Sequence, residues 1–406
     1  MIVPRVVIVG GGAAGFFAAI AAAELGADVT VLEKTARWLD KVRISGGGRC
    51  NVTHACFEPR EFILRYPRGG KALLSPLQKF SARDTVSWFE ARGVKLKTEP
   101  DGRMFPITDS SQTIIDCLVV AARQAGLKLR LNTGLETAVK TADGTFELTL
   151  TGGEKSGADR LLLATGGCRA AAAGQLAVSL GHTLEPPVPS LFTFQVDTPW
   201  LRSLAGVATG AALAVELKTT LRERGPLLLT HWGLSGPAVL RLSAWGARSL
   251  HALNYQFPLL VNWLPDSSTE QILHEFQKRR ETAGAKLLVN VPLAPLTARL
   301  WEQLVLAAGL PRETRWASLA RPQAQALARQ LNHTEFRVTG KSLNQDEFVT
   351  CGGVKLGEVN FKTMESKLCP GLYFAGELLD IDGVTGGFNF QAAWTTGWVA
   401  GRAMAA

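Results

Sequence analysis

The sequence predicts an α/β chain in which a Rossmann-like, parallel-sheet domain is interrupted by an inserted β-barrel-like domain that carries a helical insertion. Three observations predict this fold class. At the N-terminus a buried strand runs directly into a glycine-rich turn and a helix of small residues. The pattern of a strand followed by glycine occurs again at residues 160–167 and 371–377. Between about 190 and 343 the alternation of strands and helices breaks down, as expected for an insertion.

The N-terminal segment predicts a strand, a helix and a second strand. Residues 5–9 form a continuous apolar, β-branched run, which is typical of a strand buried on both faces. A G-x-G-x-x-G motif follows at once and opens a helix predicted over 13–25. Gly26 ends this helix, and residues 28–32 predict the second strand. This context makes the glycine motif a specific signal for dinucleotide binding.

The residues of this motif have separate physical roles. Gly10 permits the tight turn, Gly12 lets the backbone approach a pyrophosphate, and Gly15 lets the helix pack closely on the sheet. The first N–H groups of the helix, at Ala13 and Ala14, have no partner within the helix and are available to phosphates.

An acidic residue completes the motif. Glu33 lies 18 residues beyond Gly15, where it can accept hydrogen bonds from the adenosine ribose. An acid there disfavours a 2′-phosphate, although Lys34 and Arg37 lie near enough to meet one. The motif alone does not distinguish FAD from NAD.

Two later segments have the same form. Residues 160–163 predict a buried strand, and Ala164, Thr165 and Gly166 form the turn after it. Residues 371–377, GLYFAGE, repeat the pattern and end on an acid. Gly387, at the end of a glycine pair, then leads into a helix predicted over 391–404, which we expect to pack on the sheet.

These motifs together resemble the FAD-binding domain of the glutathione-reductase and fumarate-reductase superfamily. More narrowly, the runs SGGGRCNVT (45–53), GRMFP (102–106), THWGLSGP (230–237) and TMESK (363–367) resemble the aminoacetone-oxidase-like bacterial flavoproteins, which include bile-acid enone reductases. The resemblance covers nearly the whole chain. It implies FAD as the cofactor.

The resemblance also implies contacts for individual residues. The glycine-rich run would line the pyrophosphate and the flavin edge, and Leu135 would lie near adenine. Glu377 would approach the ribityl chain, and the start of the last helix would face the flavin N1–C2 edge. With the N-terminal motif, the expected FAD-binding set is Gly10, Gly12, Ala13, Ala14, Gly15, Glu33, Lys34, Gly46, Gly47, Gly48, Arg49, Leu135, Ala164, Thr165, Gly166, Gly376, Glu377, Gly387, Phe388 and Asn389.

The inserted block is predicted as a β domain with a helical part. Domain boundaries are expected at 1–189 and 344–406 for the FAD-binding domain and 190–343 for the insertion, with its helical part at about 266–332. Predicted strands are 192–196, 211–217, 227–230 and 257–261, and predicted helices are 269–282, 296–308 and 322–331. Residues 230–237 are the expected wall of a substrate pocket.

No side chain can be assigned to catalysis from the sequence. Cys50 has no second cysteine at CxxC spacing, so a small buried thiol is the preferred interpretation. Arg49 is expected to hold the cofactor, and His231 to be hydrogen-bonded within a turn. Glu365 and Lys367 are expected to pair at the surface.

Composition narrows the function. Six dispersed cysteines argue against a disulfide framework, and scattered histidines argue against a metal site. No apolar stretch reaches the roughly 18 residues that span a bilayer, so we expect a cytoplasmic protein with no membrane partner. The lysines and arginines that give the net charge of +9 are dispersed along the chain, and we interpret them as part of a solvated surface. A nucleic-acid partner is therefore not the expected one. The oligomeric state is not indicated.

The leading functional prediction is an FAD-dependent oxidoreductase that transfers hydride at flavin N5 to or from a small organic substrate. A second G-x-G-x-x-G motif is absent from the sequence, so NAD(P)H, as electron donor of a reductase, would bind only transiently at the flavin. The alternatives are an oxygen-dependent amine oxidase and a flavin-containing protein that modifies nucleic acid or acts as a sensor.

Overall fold

A computed structural model describes residues 3–168, 171–342 and 349–406 of the chain. The chain divides into two compact units, Met1–Ser190 with Asn344–Ala406, and Leu191–Leu343. We call them the outer unit and the inserted unit.

The strands are β1 (Arg5–Val9), β2 (Asp28–Leu32), β3 (Thr53–His54), β4 (Leu96–Thr98), β5 (Arg103–Pro106), β6 (Lys128–Arg130), β7 (Leu135–Lys140), β8 (Phe146–Leu150), β9 (Lys155–Ala158), β10 (Arg160–Leu163), β11 (Leu184–Ser190), β12 (Thr193–Val196), β13 (Ala208–Val215), β14 (Leu221–Leu229), β15 (Gly233–Ser235), β16 (Phe257–Asn262), β17 (Thr334–Ser342), β18 (Val349–Val354), β19 (Val359–Asn360), β20 (Glu365–Ser366) and β21 (Leu372–Phe374). The helices are α1 (Ala13–Ala23), α2 (Asp40–Gly48), α3 (Pro59–Phe62), α4 (Gly70–Lys79), α5 (Ala82–Glu90), α6 (Ser111–Gln124), α7 (Ala171–Ser179), α8 (Pro199–Arg202), α9 (Pro237–Trp245), α10 (Ala247–Ala252), α11 (Thr269–Ala283), α12 (Ala298–Ala307), α13 (Arg321–Asn332) and α14 (Phe388–Ala405).

The outer unit is built on a seven-stranded sheet in the order β19-β20-β21-β10-β1-β2-β6. Its central strands, from β21 across to β6, pair in parallel. Their carboxyl ends therefore lie at one edge, which is where ligands bind in open α/β sheets. Three smaller sheets complete this unit: β11-β18, β3-β5-β4 and β7-β8-β9.

The first and last helices of the outer unit pack against each other through small residues. A Cβ at Gly397 would lie 2.4 Å from the carbonyl oxygen of Ala14, and one at Gly401 would lie 2.2 Å from that of Ala18. Helix α14 begins at Phe388, three residues before the predicted start, because Gly387 with φ 93° forms its N-cap. Its small residues thus allow close approach to α1, whereas packing on the sheet was expected.

The inserted unit contains a closed barrel in the order β12-β15-β14-β13-β16-β17. Helices α11, α12 and α13 lie between β16 and β17 in the chain. The predicted fold class, a Rossmann-like domain with an inserted barrel that carries helices, is confirmed. Two strands, β15 and β17, and three helices, α8, α9 and α10, were not predicted.

No helix among the described residues is both long and apolar enough to cross a membrane. Within the same part of the chain, no group of three or more His, Cys, Asp or Glu side chains could hold a metal ion.

Candidate functional site

Loops from three parallel strands of the outer unit meet at the carboxyl edge of its large sheet. Gly10, after β1, lies so close to the turn after β10 that a Cβ there would be 2.3 Å from the carbonyl oxygen of Ala164. A Cβ added at Gly376, after β21, would lie 2.9 Å from the Cβ of Ala14. The structure therefore brings together three segments of the expected FAD-binding set that are up to 366 positions apart in the chain.

The glycines of the first loop have different surroundings. A Cβ on Gly15 would lie 1.9 Å from the carbonyl oxygen of Gly10, so this glycine is required by packing. A Cβ on Gly12 would meet no atom of the described residues within 4 Å. The same holds for Gly47, Gly48 and Gly166. These four positions border open space from which a ligand can approach the backbone.

Glu33 is fixed at the end of β2 by two backbone hydrogen bonds. Its carboxylate accepts from the N–H of Gly11 and from the N–H of Thr35, each at 2.8 Å. A carboxylate has about four acceptor sites, so two remain for hydroxyl groups of a ligand. The neighbouring Lys34 is exposed, and its Cβ lies 3.5 Å from the Cβ position of Gly134, next to Leu135.

The glycine-rich run lies where helix α2 ends its regular course. Gly46 and Gly47 adopt left-handed backbone angles, with φ of 58° and 69°. Arg49 follows, and its guanidinium donates to Glu99 at 2.7 Å and lies 4.0 Å from the ring centroid of Phe105. The cofactor role of Arg49 stays a prediction, and in this structure its charge is paired with Glu99.

Glu377 connects distant segments near the same edge. Its carboxylate forms an ion pair with Lys41 and accepts from the N–H of Thr350 at 2.8 Å. Preceding it, the N–H of Gly376 donates to the hydroxyl of Thr396 in α14 at 3.0 Å. These bonds hold the β21 loop against both α2 and α14.

The start of α14 is held by β3 and by its own loop. A Cβ on Gly387 would lie 2.4 Å from the carbonyl oxygen of Thr53. The amide of Asn51, turned to satisfy its partners, accepts from the N–H of Gly387 at 3.0 Å. The side chain of Asn389 bonds both the N–H and the carbonyl of Gly383, at 2.8 and 2.9 Å. This helix N-terminus is therefore rigidly placed.

Two polar atoms near these loops have no hydrogen-bond partner among the described residues. One is the buried hydroxyl of Thr165, in the turn after β10. The other is Nδ1 of His54, whose ring stacks on Phe388 with centroids 4.8 Å apart and whose Nε2 contacts the carbonyl of Asp101 at 3.1 Å. Burial lowers the pKa of His54, which favours the neutral ring. Unsatisfied polar atoms beside an open glycine-lined edge fit a polar ligand such as FAD.

Cys50 has the surroundings of a structural residue. Its side chain is fully buried, and burial raises the pKa of its thiol to about 12. A thiol with this pKa is a poor nucleophile at neutral pH. The prediction of a small buried thiol is confirmed.

Two expectations about side-chain pairing were wrong. Lys367 donates to the carbonyl of Gly357 at 2.9 Å, and Glu365 accepts from the N–H of Gly371, so the two do not pair. The turn before β15 is closed by the hydroxyl of Thr230, while the exposed His231 ring has no hydrogen bond among the described residues.

Sequence reasoning missed several contacts that shape this edge. Thr53 donates to Gln391 at 2.6 Å inside the protein, and Tyr66 donates to the carbonyl of Phe388 at 2.6 Å. Asp382, fully buried, pairs with Arg68 and accepts from the hydroxyl of Ser190 at 2.7 Å. No spacing rule could have found these contacts, because their partners are 192 to 338 positions apart.

The chain is similar to known proteins over almost its whole length. A family model described as the HI0933-like protein Rossmann domain matches residues 4–403. The chain is 33% identical to a ribosomal RNA dihydrouridine synthase of Escherichia coli, over 97% of this chain and 96% of that protein. It is 31% identical to a 3-dehydro-bile acid delta(4,6)-reductase of Clostridium scindens, over 99% of both chains.

A solved structure supports the fold. The crystal structure of 3-ketosteroid-delta4-(5alpha)-dehydrogenase from Rhodococcus jostii matches 99% of this chain and 97% of its own, with a TM-score of 0.53 and 17% identity. At this identity the likeness concerns the fold alone.

Proposed function

Because the chain belongs to the HI0933-like Rossmann-domain family of FAD-dependent oxidoreductases, we propose that it is a reductase of carbon–carbon double bonds conjugated to a carbonyl group. NAD(P)H is the proposed electron donor.

The observation that carries this proposal is the chemistry shared by two relatives of nearly equal similarity. A dihydrouridine synthase saturates the C5=C6 bond of uracil, which is conjugated to the C4 carbonyl. A delta(4,6)-reductase of a 3-dehydro-bile acid acts on double bonds conjugated to the 3-oxo group. The two substrates differ in size and polarity, so the bond type is what a common site would retain.

The reaction balances with a nicotinamide donor. NAD(P)H gives up a hydride and leaves as NAD(P)⁺, the β-carbon of the conjugated system gains the hydride, and the α-carbon gains a proton from water or a side chain. FAD, when bound, supplies the hydride relay at its N5 position.

The chain's own residues bind and orient the cofactor in this proposal. The N–H groups that start α1 hold the pyrophosphate, since the backbone at Gly12 is open to approach. Glu33 accepts from the ribose hydroxyls with the acceptor sites its backbone bonds leave free. The N-terminus of α14, at Phe388 and Asn389, stabilises negative charge at the flavin N1–C2 edge.

Two substrate classes fit this reaction. A small enone agrees with the bile-acid relative and with the expectation from sequence. A uridine in ribosomal RNA agrees with the dihydrouridine-synthase relative and with the net charge of +9. The whole-length likeness to the dihydrouridine synthase, at 33% identity, supports the second class.

An anaerobic mixing experiment tests the proposal. The FAD-loaded protein is mixed with NADH or NADPH, and the oxidised-flavin absorbance is followed before and after adding an enone or a uridine-containing RNA. Bleaching by a nicotinamide and recovery on adding one substrate are expected. Absence of bleaching by both nicotinamides, with rapid reoxidation by air after chemical reduction, would instead favour an oxidase of amines.

A further inference from the structure

The positive charge of the chain is concentrated in the inserted unit. Residues 191–343 contain 17 Lys and Arg against 10 Asp and Glu, a net charge of +7. The rest of the chain contains 27 Lys and Arg against 25 Asp and Glu, a net charge of +2. A charge asymmetry of this size between two units points to a polyanionic partner for one of them.

Ion pairs within the inserted unit consume much of its acidic charge. At least five of the ten carboxylates are already paired with arginines: Asp197 with Arg202, Glu223 with Arg241, Asp266 with Arg224, Glu275 with Arg279, and Glu302 with Arg312. The cations in excess are therefore left to the surface, among them the exposed Arg222, Arg329 and Arg337.

A groove on the outside of the barrel has walls of different chemistry. Its floor is β13, whose outward residues Ala212 and Ala214 are small. In the β13–β14 register, Arg224 lies opposite Ala212, and Arg222 lies opposite Ala214. Strand β16 flanks the floor on the other side, where Asn262 lies opposite Ala212.

The groove is large enough for a polymer segment. Its volume is about 660 Å³, and Asn332 and His333, at the end of α13, also line it. The side-chain oxygen of Asn332 is buried without a hydrogen-bond partner in the described part of the chain. Two carboxylates line the groove, Glu216 and the Arg241-paired Glu223.

We infer that this groove binds a single strand of RNA through its sugar–phosphate backbone, so that the inserted unit is the RNA-docking unit. The inference rests on the RNA branch of the proposed function. The alanine floor admits a backbone closely, and Arg222 on β14 meets a phosphate, because Arg224 is already paired with Asp266. Asn262 and Asn332 meet ribose hydroxyls. No Phe, Tyr or Trp is among the described residues that line the groove, so base stacking contributes little there and binding should be salt-dependent and weakly sequence-dependent.

The test measures binding of a fluorescently labelled, single-stranded RNA of about 20 nucleotides, a length well above one binding site. We expect Arg222→Glu to raise Kd by about tenfold or more, because one phosphate contact is replaced by repulsion. Arg222→Ala should reduce the slope of log K against log salt by about 0.7. Ala214→Trp fills the floor without changing charge and should also raise Kd about tenfold.

The matched control is Arg312→Glu, which makes the same charge change in the same unit outside the groove. We expect a smaller effect from it than from Arg222→Glu. The proposal that RNA binds in the groove would be overturned if Arg222→Glu and Arg312→Glu raised the Kd equally. Wild-type binding by both Arg222→Glu and Ala214→Trp would also overturn it. Retained FAD absorbance and unchanged thermal unfolding establish that each variant is folded.

The two proposals fail in different ways. If the wild type reduces a small enone but does not bind the RNA probe, the docking inference fails and the reductase stands. If neither nicotinamide bleaches the flavin, the reductase fails whatever the binding result.

Discussion

Replacement of Gly12 by alanine separates cofactor binding from folding. The backbone of Gly12, with φ −90° and ψ −169°, is one that alanine adopts without strain, and the new methyl group would meet no described atom within 4 Å. Alanine is a poorer N-cap than glycine, which costs up to roughly 1 kcal/mol of stability. Alanine also reduces the conformational entropy of the unfolded chain, which stabilises the folded protein by about 0.4–1 kcal/mol. The free energy of unfolding of the apoprotein should therefore fall by no more than about 0.6 kcal/mol.

The same methyl group would stand between the backbone and a pyrophosphate. Loss of one or two hydrogen bonds to a charged group costs about 1.5–3 kcal/mol each, which raises the Kd for FAD at least tenfold. Gly15→Ala is the matched control, since its methyl group would lie 1.9 Å from the carbonyl oxygen of Gly10. Backbone atoms would have to move, at a cost of about 1–3 kcal/mol of stability.

The assay combines urea unfolding of both apoproteins with FAD titration followed by flavin fluorescence. Two results would refute the reasoning about Gly12. One is an unchanged Kd for FAD in Gly12→Ala. The other is a loss of apoprotein stability as large as that of Gly15→Ala.

Three further predictions concern buried groups of the outer unit. Asp382→Asn should cost about 3–5 kcal/mol in urea unfolding, because the mostly buried Arg68 loses its counter-charge; a double variant with Arg68→Met should recover part of that loss. Burial lowers the pKa of His182, so the unfolded chain binds its proton more readily, and the free energy of unfolding should fall as the pH drops below about 6.5; His182→Gln should reduce this fall. Cys50 should resist thiol reagents at pH 8 until the protein unfolds, since burial raises its pKa to about 12.

Each of these has a contradicting outcome. A wild-type midpoint for Asp382→Asn would mean that the buried pair contributes nothing to stability. If the free energy of unfolding changed equally between pH 7.5 and pH 5.5 in the wild type and in His182→Gln, His182 would not contribute to the pH dependence. Labelling of Cys50 in the native protein, detected by peptide mass spectrometry, would show that the thiol is accessible.

The sequence predicted the local parts of the fold well, for physical reasons. The segment β1–α1–β2 is determined by neighbours in the chain, because a β-branched run, a glycine turn and a small-residue helix act within 30 residues. Strand β17 was not predicted, since only Phe336 and Val338 mark its apolar face and its partners β12 and β16 precede the helical part.

The candidate site was predictable in its glycines and less so in its side chains. Gly10 and Gly15 have packing roles that follow from the motif, and the structure has both. The pairing of Lys41 with Glu377 joins residues 336 positions apart, and only the folded sheet brings them together. The cofactor role of Arg49 stays a prediction, and its pairing with Glu99, in the turn between β4 and β5, had no local signal in the sequence.

The contact between α1 and α14 sets a condition on how the protein is made. Almost every residue of α1 is apolar and buried, and the helix that covers it through Gly397 and Gly401 begins 375 positions after the start of α1. At about 5–20 residues per second, the α1 surface stays uncovered on the ribosome for roughly 20–75 s after it emerges. Burial of α1 therefore waits until α14 has been synthesised, and a chain that stops before Phe388 should be held by chaperones rather than acquire FAD.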